Sequence, residues 1–99
     1  MADIYRRGND GVTELSESEG VVYATLLHGI FREWENSHYQ FVEGLFSREE
    51  FEPRMERWRL NMALPGYQQV WSVNRITFSP QFRAEIDGFV TERVPGGSG

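Results

Sequence analysis

The sequence predicts an all-α fold, a long antiparallel helical hairpin plus two shorter helices that together make a small four-helix bundle. Three observations predict it. Apolar side chains recur at spacings of three and four, the period of one helical face. Ser16 with Glu19, and Ser47 with Glu50, have the capping-box spacing, in which each side chain satisfies an orphan amide of a first helical turn. No stretch sustains the apolar–polar alternation of a half-buried strand.

In chain order, residues 3–7 suit a short turn of helix stopped by Gly8, and Gly8-Asn9-Asp10-Gly11 reads as a loop. A helix then runs from about 17 to 43, opened by Ser16 and stopped by Gly44, the natural left-handed residue. Tyr23, Leu27, Ile30, Phe31, Trp34, His38, Phe41 and Leu45 line one face of it. At ~1.5 Å per residue it is ~40 Å long, which for a domain this size means that it protrudes or bends near Gly29. Ser47 opens a second helix with Glu49, Glu50 and Glu52 early and Arg54, Arg57 and Arg59 later, an order that favourably opposes the helix dipole. Phe51, Met55, Trp58 and Met62 form its apolar stripe, and Pro53 lies early enough not to break it. About three residues join the two helices, which must therefore fold back on each other.

Pro65-Gly66 ends the second helix, and a third spans about 67–77 with Tyr67, Val70, Trp71 and Asn74 on one side. Ser79-Pro80, a cap followed by proline at the first helical position, opens a fourth. It runs to about 91 with Phe82, Ile86, Phe89 and Val90 inward. Residues 1–15 are thus expected as an N-terminal short helix and loop, 16–94 as a single helical domain, and 95–99 as a flexible Gly-rich tail.

Ninety-nine residues is one domain's length, with a core small enough that a few large side chains must supply much of the burial. Seven Phe, four Tyr and three Trp are the first candidates, at ~150–250 Å² of burial each. Cys is absent, which excludes disulfides, thiolate nucleophiles and Cys-based metal sites. Lys is absent too, which excludes Schiff-base chemistry and a P-loop. A net charge of −5 argues against nucleic acid as a partner. The charge is uneven: residues 1–50 hold ten acids and four Arg, residues 51–99 five acids and six Arg. That leaves room for an Arg-rich face on the second half, with a solvated helix surface the expected reading. No apolar run approaches the ~20 residues that cross a bilayer, so no direct membrane insertion by this chain is expected.

The densest polar cluster is Glu35, Asn36, His38, Tyr39 and Gln40, midway along the aromatic helix. Glu35-x-x-His38 is half of a carboxylate-bridged di-iron site. His28, the one other histidine, has no acid three residues before it, so neither a metal nor another cofactor is expected. The expected role is structural: a polar network of Glu35, Asn36, His38 and Gln40 with Arg75 and Arg83, because buried polar groups must be satisfied and Arg–carboxylate pairs are strong. Catalysis needs a base, a nucleophile and a group that orients them. Ser37 faces away from its neighbour His38 and Ser47 already serves as a cap, so no catalytic residue is assigned. Trp34, Trp58 and Trp71 are read as core, with a small-molecule or metal pocket near Trp34, His38 and Trp58 as the alternative. Off the main stripe, Val22, Leu26, Val42 and Phe46 make a second apolar strip that something must cover: the fourth helix, a second copy, or a missing N-terminal segment.

Trp34-Glu35-Asn36-Ser37-His38-Tyr39-Gln40, Gly44-Leu45, the Pro65-Gly66 turn with Trp71 beyond it, and Phe78-Ser79-Pro80-Gln81-Phe82-Arg83 leading to Ile86-Asp87 form an ordered set of motifs. On these, roughly over residues 15–90, the chain resembles a group of bacterial proteins of unknown function. In that group a membrane-spanning N-terminal helix and an Arg-Gln-Asn-like stretch precede a helical soluble half. The resemblance implies the C-terminal half of such a protein, cytoplasmic, and membrane-tethered in the full-length relatives. It carries no activity to transfer. The expected function is a non-enzymatic protein-interaction or sensory module, with a protein partner or self-association.

Overall fold

A computed structural model describes the backbone of residues 2–98 and the side chains of residues 2–90. Helices α1 (Ala2–Asn9), α2 (Glu17–Val42), α3 (Arg48–Asn61), α4 (Pro65–Asn74) and α5 (Pro80–Ser98) follow in order, with 3-10 turns at Val12–Glu14 and Arg75–Thr77. The described residues are all-helical and contain no strand. The tail expected at 95–99 lies outside the residues described with their side chains.

Both capping boxes form. The Glu19 amide donates to Ser16 Oγ at 3.2 Å and the Ser16 amide to Glu19 Oε1 at 3.0 Å. At α3 the Glu50 amide donates to Ser47 Oγ at 3.1 Å and the Ser47 amide to Glu50 Oε1 at 2.9 Å. α2 ends at Val42 and is turned off by Gly44, whose φ of 86° no side chain adopts cheaply. The Leu45 amide reaches back to the Gln40 carbonyl and the Gly44 amide to that of Phe41, both at 2.9 Å, which completes a Schellman motif. Pro53 lies inside α3 without ending it. Its missing amide deprives one carbonyl, that of the exposed Glu49, and water can serve that group instead.

Two boundaries differ from expectation. Pro65 opens α4 and does not end α3, which is over at Asn61. Leu64 is extended and Pro65 takes the first helical position, where its fixed φ suits the helix and its missing amide is not needed. Gly8 does not stop the first helix either. It lies buried inside α1 beneath the Tyr23 ring, where a Cβ would come within 2.4 Å of the ring carbons. Lacking that Cβ, α1 packs directly against α2 and α4.

α2 is the central helix. At ~1.5 Å per residue it is ~39 Å long, and the whole molecule extends only 42 Å along its longest axis. α1, α4 and α5 pack on α2, and α3 packs on α5. α2 and α3 meet through large rings: Trp34 stacks on Trp58 at 5.3 Å and Phe41 on Phe51 at 4.3 Å between centroids. The fully buried centre combines Tyr23, Leu27 and Phe31 of α2 with Phe51, Met62, Tyr67, Phe82 and Ile86. Phe31 meets Trp34, Tyr67, Trp71 and Phe78 edge-on, an arrangement that the ring quadrupole favours. No helix among the described residues is long and apolar enough to cross a membrane.

Candidate functional site

The structure does not assemble the six residues of the expected polar network: Glu35, His38 and Arg75 enter separate contacts, and Asn36, Gln40 and Arg83 join none of them. Glu35 turns outward along α2, where its Oε1 accepts from Arg32 and its Oε2 from the Ser79 amide, both at 2.8 Å. Arg32 also donates to the Thr77 carbonyl at 3.2 Å and lies 4.4 Å over the Phe78 ring. Together they tie α2 to the α4–α5 connection. Arg75 pairs with Asp87 of α5 and not with Glu35, since it follows Trp71 by one turn on the side of α4 that faces α5. Its Nε donates to Asp87 Oδ1 at 3.1 Å, its Nη2 contacts Oδ2, and Trp71 Nε1 donates to Oδ1 at 2.8 Å. The Arg75 guanidinium holds the Asp87 carboxyl below the usual carboxylate range, with the Trp71 bond and the nearby Arg83 charge acting in the same direction.

His38 is buried between Phe51 and Phe82, at 6.4 and 5.8 Å between ring centroids, with Nε2 3.5 Å from Glu85 Oε1. Glu35 and His38 therefore take different partners despite their shared spacing, Arg32 and the Ser79 amide for the one and Glu85 for the other. Asn36 is exposed and Gln40 half-buried, and neither side chain forms a hydrogen bond among the described residues. Nor does any hydroxyl there bond His38. No three His, Asp or Glu side chains among the described residues stand together as a ligand set.

The tryptophans expected around a pocket interlock. Trp34 stacks on Trp58 at 15° between planes and on Tyr67 at 22°, while Trp71 stands edge-on to Phe82 at 5.7 Å. What remains is an open groove of about 280 Å³ outside them, between α2 and α3. Glu33, Ser37, Arg54 and Arg57 form its walls, with the outer edges of Trp34 and Trp58 at its floor. Both indoles are nearly closed to solvent, at 7% and 4% exposed.

A second polar assembly, which sequence reading did not find, fastens α1. The hydroxyls of Tyr5 and Tyr67 lie 2.7 Å apart, and Tyr23 donates to Asn9 Oδ1 at 2.7 Å. Burial pushes the Tyr23 and Tyr67 hydroxyls well above the usual phenol range, and at Tyr67 the Tyr5 bond adds to it. Arg7 grips Glu19 through two bonds of 2.9 and 3.2 Å and Asp3 through one of 2.9 Å. The Val12 amide donates to Gln69 Oε1 at 2.8 Å. The signals were three tyrosines, Tyr5, Tyr23 and Tyr67, scattered over sixty residues, and no local spacing connects them.

The second apolar strip of α2 is partly covered from within the chain: Val22 and Leu26 are half-buried. Phe46 is half-buried too, stacked near Phe51 at 6.2 Å with Arg54 5.1 Å above its ring. The end of the helix is different. Leu45, expected on the inward face, is 69% exposed, and Tyr39 and Val42 beside it are 61% and 46% exposed. The cause is local, because α2 stops at Val42 and the left-handed Gly44 turns Leu45 away from the helical face. In a Schellman motif that residue commonly packs on the side chain five positions back, which here is the polar Gln40.

Comparisons with protein-family models, with curated proteins and with solved structures find no match to this chain.

Proposed function

We infer that this chain is a non-enzymatic protein-interaction module that makes contact through the C-terminal end of α2. The observation behind the inference is Leu45, a large apolar side chain set outward by a well-formed helix stop, with Tyr39 and Val42 exposed in the preceding turn of the chain. Scattered exposed apolar residues are ordinary, but three within seven positions at one helix end offer apolar surface that a partner can cover. The groups a catalyst would need are engaged elsewhere: His38 with Glu85 and two rings, Glu35 with Arg32 and Ser79. The same reading takes the chain as the soluble half of the bacterial proteins it resembles, cytoplasmic and tethered to the membrane in longer relatives, where a sensory role would be exercised through the same contact.

The natural absence of Cys supplies the test. In cells that make this protein, a Leu45→Cys chain is exposed to a thiol reagent beside a Thr25→Cys chain, Thr25 being exposed elsewhere on α2. Slower modification at position 45 than at position 25, with equal rates once both chains are purified and dilute, is the expected result. Equal rates in the cell would remove the reading.

A second reading, a small-molecule or metal-binding domain, draws on the groove outside Trp34 and Trp58, where Arg57 has no charged partner among the described residues. A ligand seated there would change the emission of those two indoles. Emission unaltered across a panel of small anions and divalent cations would speak against it.

A further inference from the structure

We propose that the groove between α2 and α3 binds a small organic carboxylate, held by indole N–H and guanidinium donors with its short apolar body against Pro53. The proposal rests on the second, ligand-binding reading and names the class of ligand.

The groove is rich in donors that have no acceptor. Trp34 and Trp58, at its floor, are 7% and 4% exposed, and neither indole N–H finds an acceptor among the described residues. Trp34 has one face on Trp58 and the other on Tyr67, so it meets the groove with an edge. No polar side-chain atom among the described residues is both fully enclosed and unpartnered, so both N–H groups reach the surface, and the groove is the opening that both rings line. On its walls the half-buried Ser37 hydroxyl and the Arg57 guanidinium are without partners too.

The same molecule shows what such donors hold. Trp71 donates its indole N–H to Asp87 at 2.8 Å, and Arg75 closes on the same carboxylate from the side, with Nε at 3.1 Å. Trp71 and Arg75 stand four positions apart on one helical face, as do Arg54 and Trp58 in the groove. Around Asp87 the chain supplies its own carboxylate. In the groove the indole and guanidinium donors are in place and the carboxylate must come from outside.

Charge narrows the choice of ligand. Two Arg line the groove, which disfavours a cation. Glu33 on the α2 wall is unpaired, so a dianion such as phosphate meets its repulsion, while a single carboxylate is outweighed by the donors around it. The groove, of about 280 Å³, is open and Arg54 and Arg57 are exposed, so binding is weak and falls with added salt.

The three indole N–H resonances of the full chain, followed in nitrogen–proton correlation spectra, test this. Sodium butyrate at constant ionic strength should move those of Trp34 and Trp58 and leave that of Trp71, whose donor Asp87 already occupies. Sodium phosphate should move them far less, and sodium chloride and magnesium chloride not at all. Arg57→Gln should weaken the butyrate response about three- to fivefold, the scale of one solvent-exposed ion pair. Glu33→Gln should strengthen it, because a competing carboxylate is gone. Unmoved Trp34 and Trp58 resonances in butyrate, or equal butyrate responses in Arg57→Gln and the wild type, would overturn the proposal. Movement with magnesium or phosphate in place of butyrate would overturn it as well but leave the ligand-binding reading standing; no movement with any of them would remove both.

Discussion

The carbonyl oxygen of Gly8 lies so close to Gly66 that a Cβ on residue 66 would sit 1.9 Å from it. The Tyr23 hydroxyl closes the same position from the side, at 2.3 Å. Three helices, α1, α2 and α4, meet at this joint with no room for a side chain. The nearest atom at Gly66 is backbone and cannot rotate away, whereas at Gly8 the obstacle is a side chain, the Tyr23 ring.

Gly66→Ala should therefore lose the upper part of the ~1–3 kcal/mol that overpacking costs, and Gly8→Ala less. Gly29→Ala is the control. It lies mid-helix in α2, exposed, with nothing near the position of a Cβ, so removing glycine's backbone freedom should raise stability by ~0.5–1 kcal/mol. Urea midpoints should rank Gly29→Ala above the wild type, then Gly8→Ala, then Gly66→Ala. An unchanged midpoint for Gly66→Ala would mean that α1 does not dock there.

Among the described residues Asp87 serves two donors at once, the Trp71 indole and the Arg75 guanidinium. Asp87→Ala leaves the nearly buried Trp71 N–H without an acceptor, a loss of ~1–3 kcal/mol. Arg75→Ala removes only a half-exposed ion pair, with Arg75 42% and Asp87 36% exposed, and should lose less than Asp87→Ala, because solvent screens such a pair. Asp87→Asn, which keeps an acceptor for Trp71, should fall between the two. Equal losses for Asp87→Ala and Arg75→Ala in thermal melts would show that the indole bond contributes nothing.

The docking of α1 should weaken in acid. Hydrogen bonds from Arg7, then from the Ser16 amide, hold the Glu19 carboxyl down from 4.5 to about 2. Arg7 and Arg6 lower Asp3 in the same way. A folded pKa below the unfolded one means stability that is complete above pH 4.5 and lost as the pH falls toward 2. Arg7→Gln should be less stable than the wild type at pH 6, with the gap closing as the pH approaches 2. A gap that holds constant over that range would show that the pair does not act through charge.

Alkali acts through the tyrosines. Tyr23 and Tyr67 have hydroxyls raised by burial above their ordinary value of 10.0. Raised folded values leave stability intact below about pH 10 and erode it as the pH climbs further, because the unfolded chain loses those protons first. Phenolate absorbance should show Tyr23 and Tyr67 ionising only as the far-ultraviolet helix signal is lost. Tyr67→Phe should flatten the alkaline decline in stability. Ionisation of Tyr23 and Tyr67 in a still-folded chain would contradict the buried assignment.

Local chemistry was legible and global pairing was not. Ser16, Ser47, Gly44 and the Ser79-Pro80 start were readable because a cap is settled by residues within four positions of each other. The inward stripe of α2 was equally readable, and Tyr23, Leu27, Phe31, Trp34 and His38 are all buried. Leu45 escaped that stripe because one left-handed glycine redirects the chain, an event that a periodic pattern does not contain. Arg75 was correctly singled out as an ion-pair partner and matched to the wrong acid, since spacing says which helix face a residue occupies but not which helix lies opposite.

By itself the sequence determined that this chain is helical, where its caps lie and which side of α2 turns inward, for these follow from propensity, capping and a period of 3.6. Only tertiary packing decided that α1 docks on α2 and α4, that Asp87 takes both Trp71 and Arg75, and that Glu35 and His38 part company. The physical reason is the reach of the interactions. Caps and helical periods act over one or two turns, whereas a glycine joint or a shared carboxylate depends on which distant surfaces fit when large rings fill the space between them.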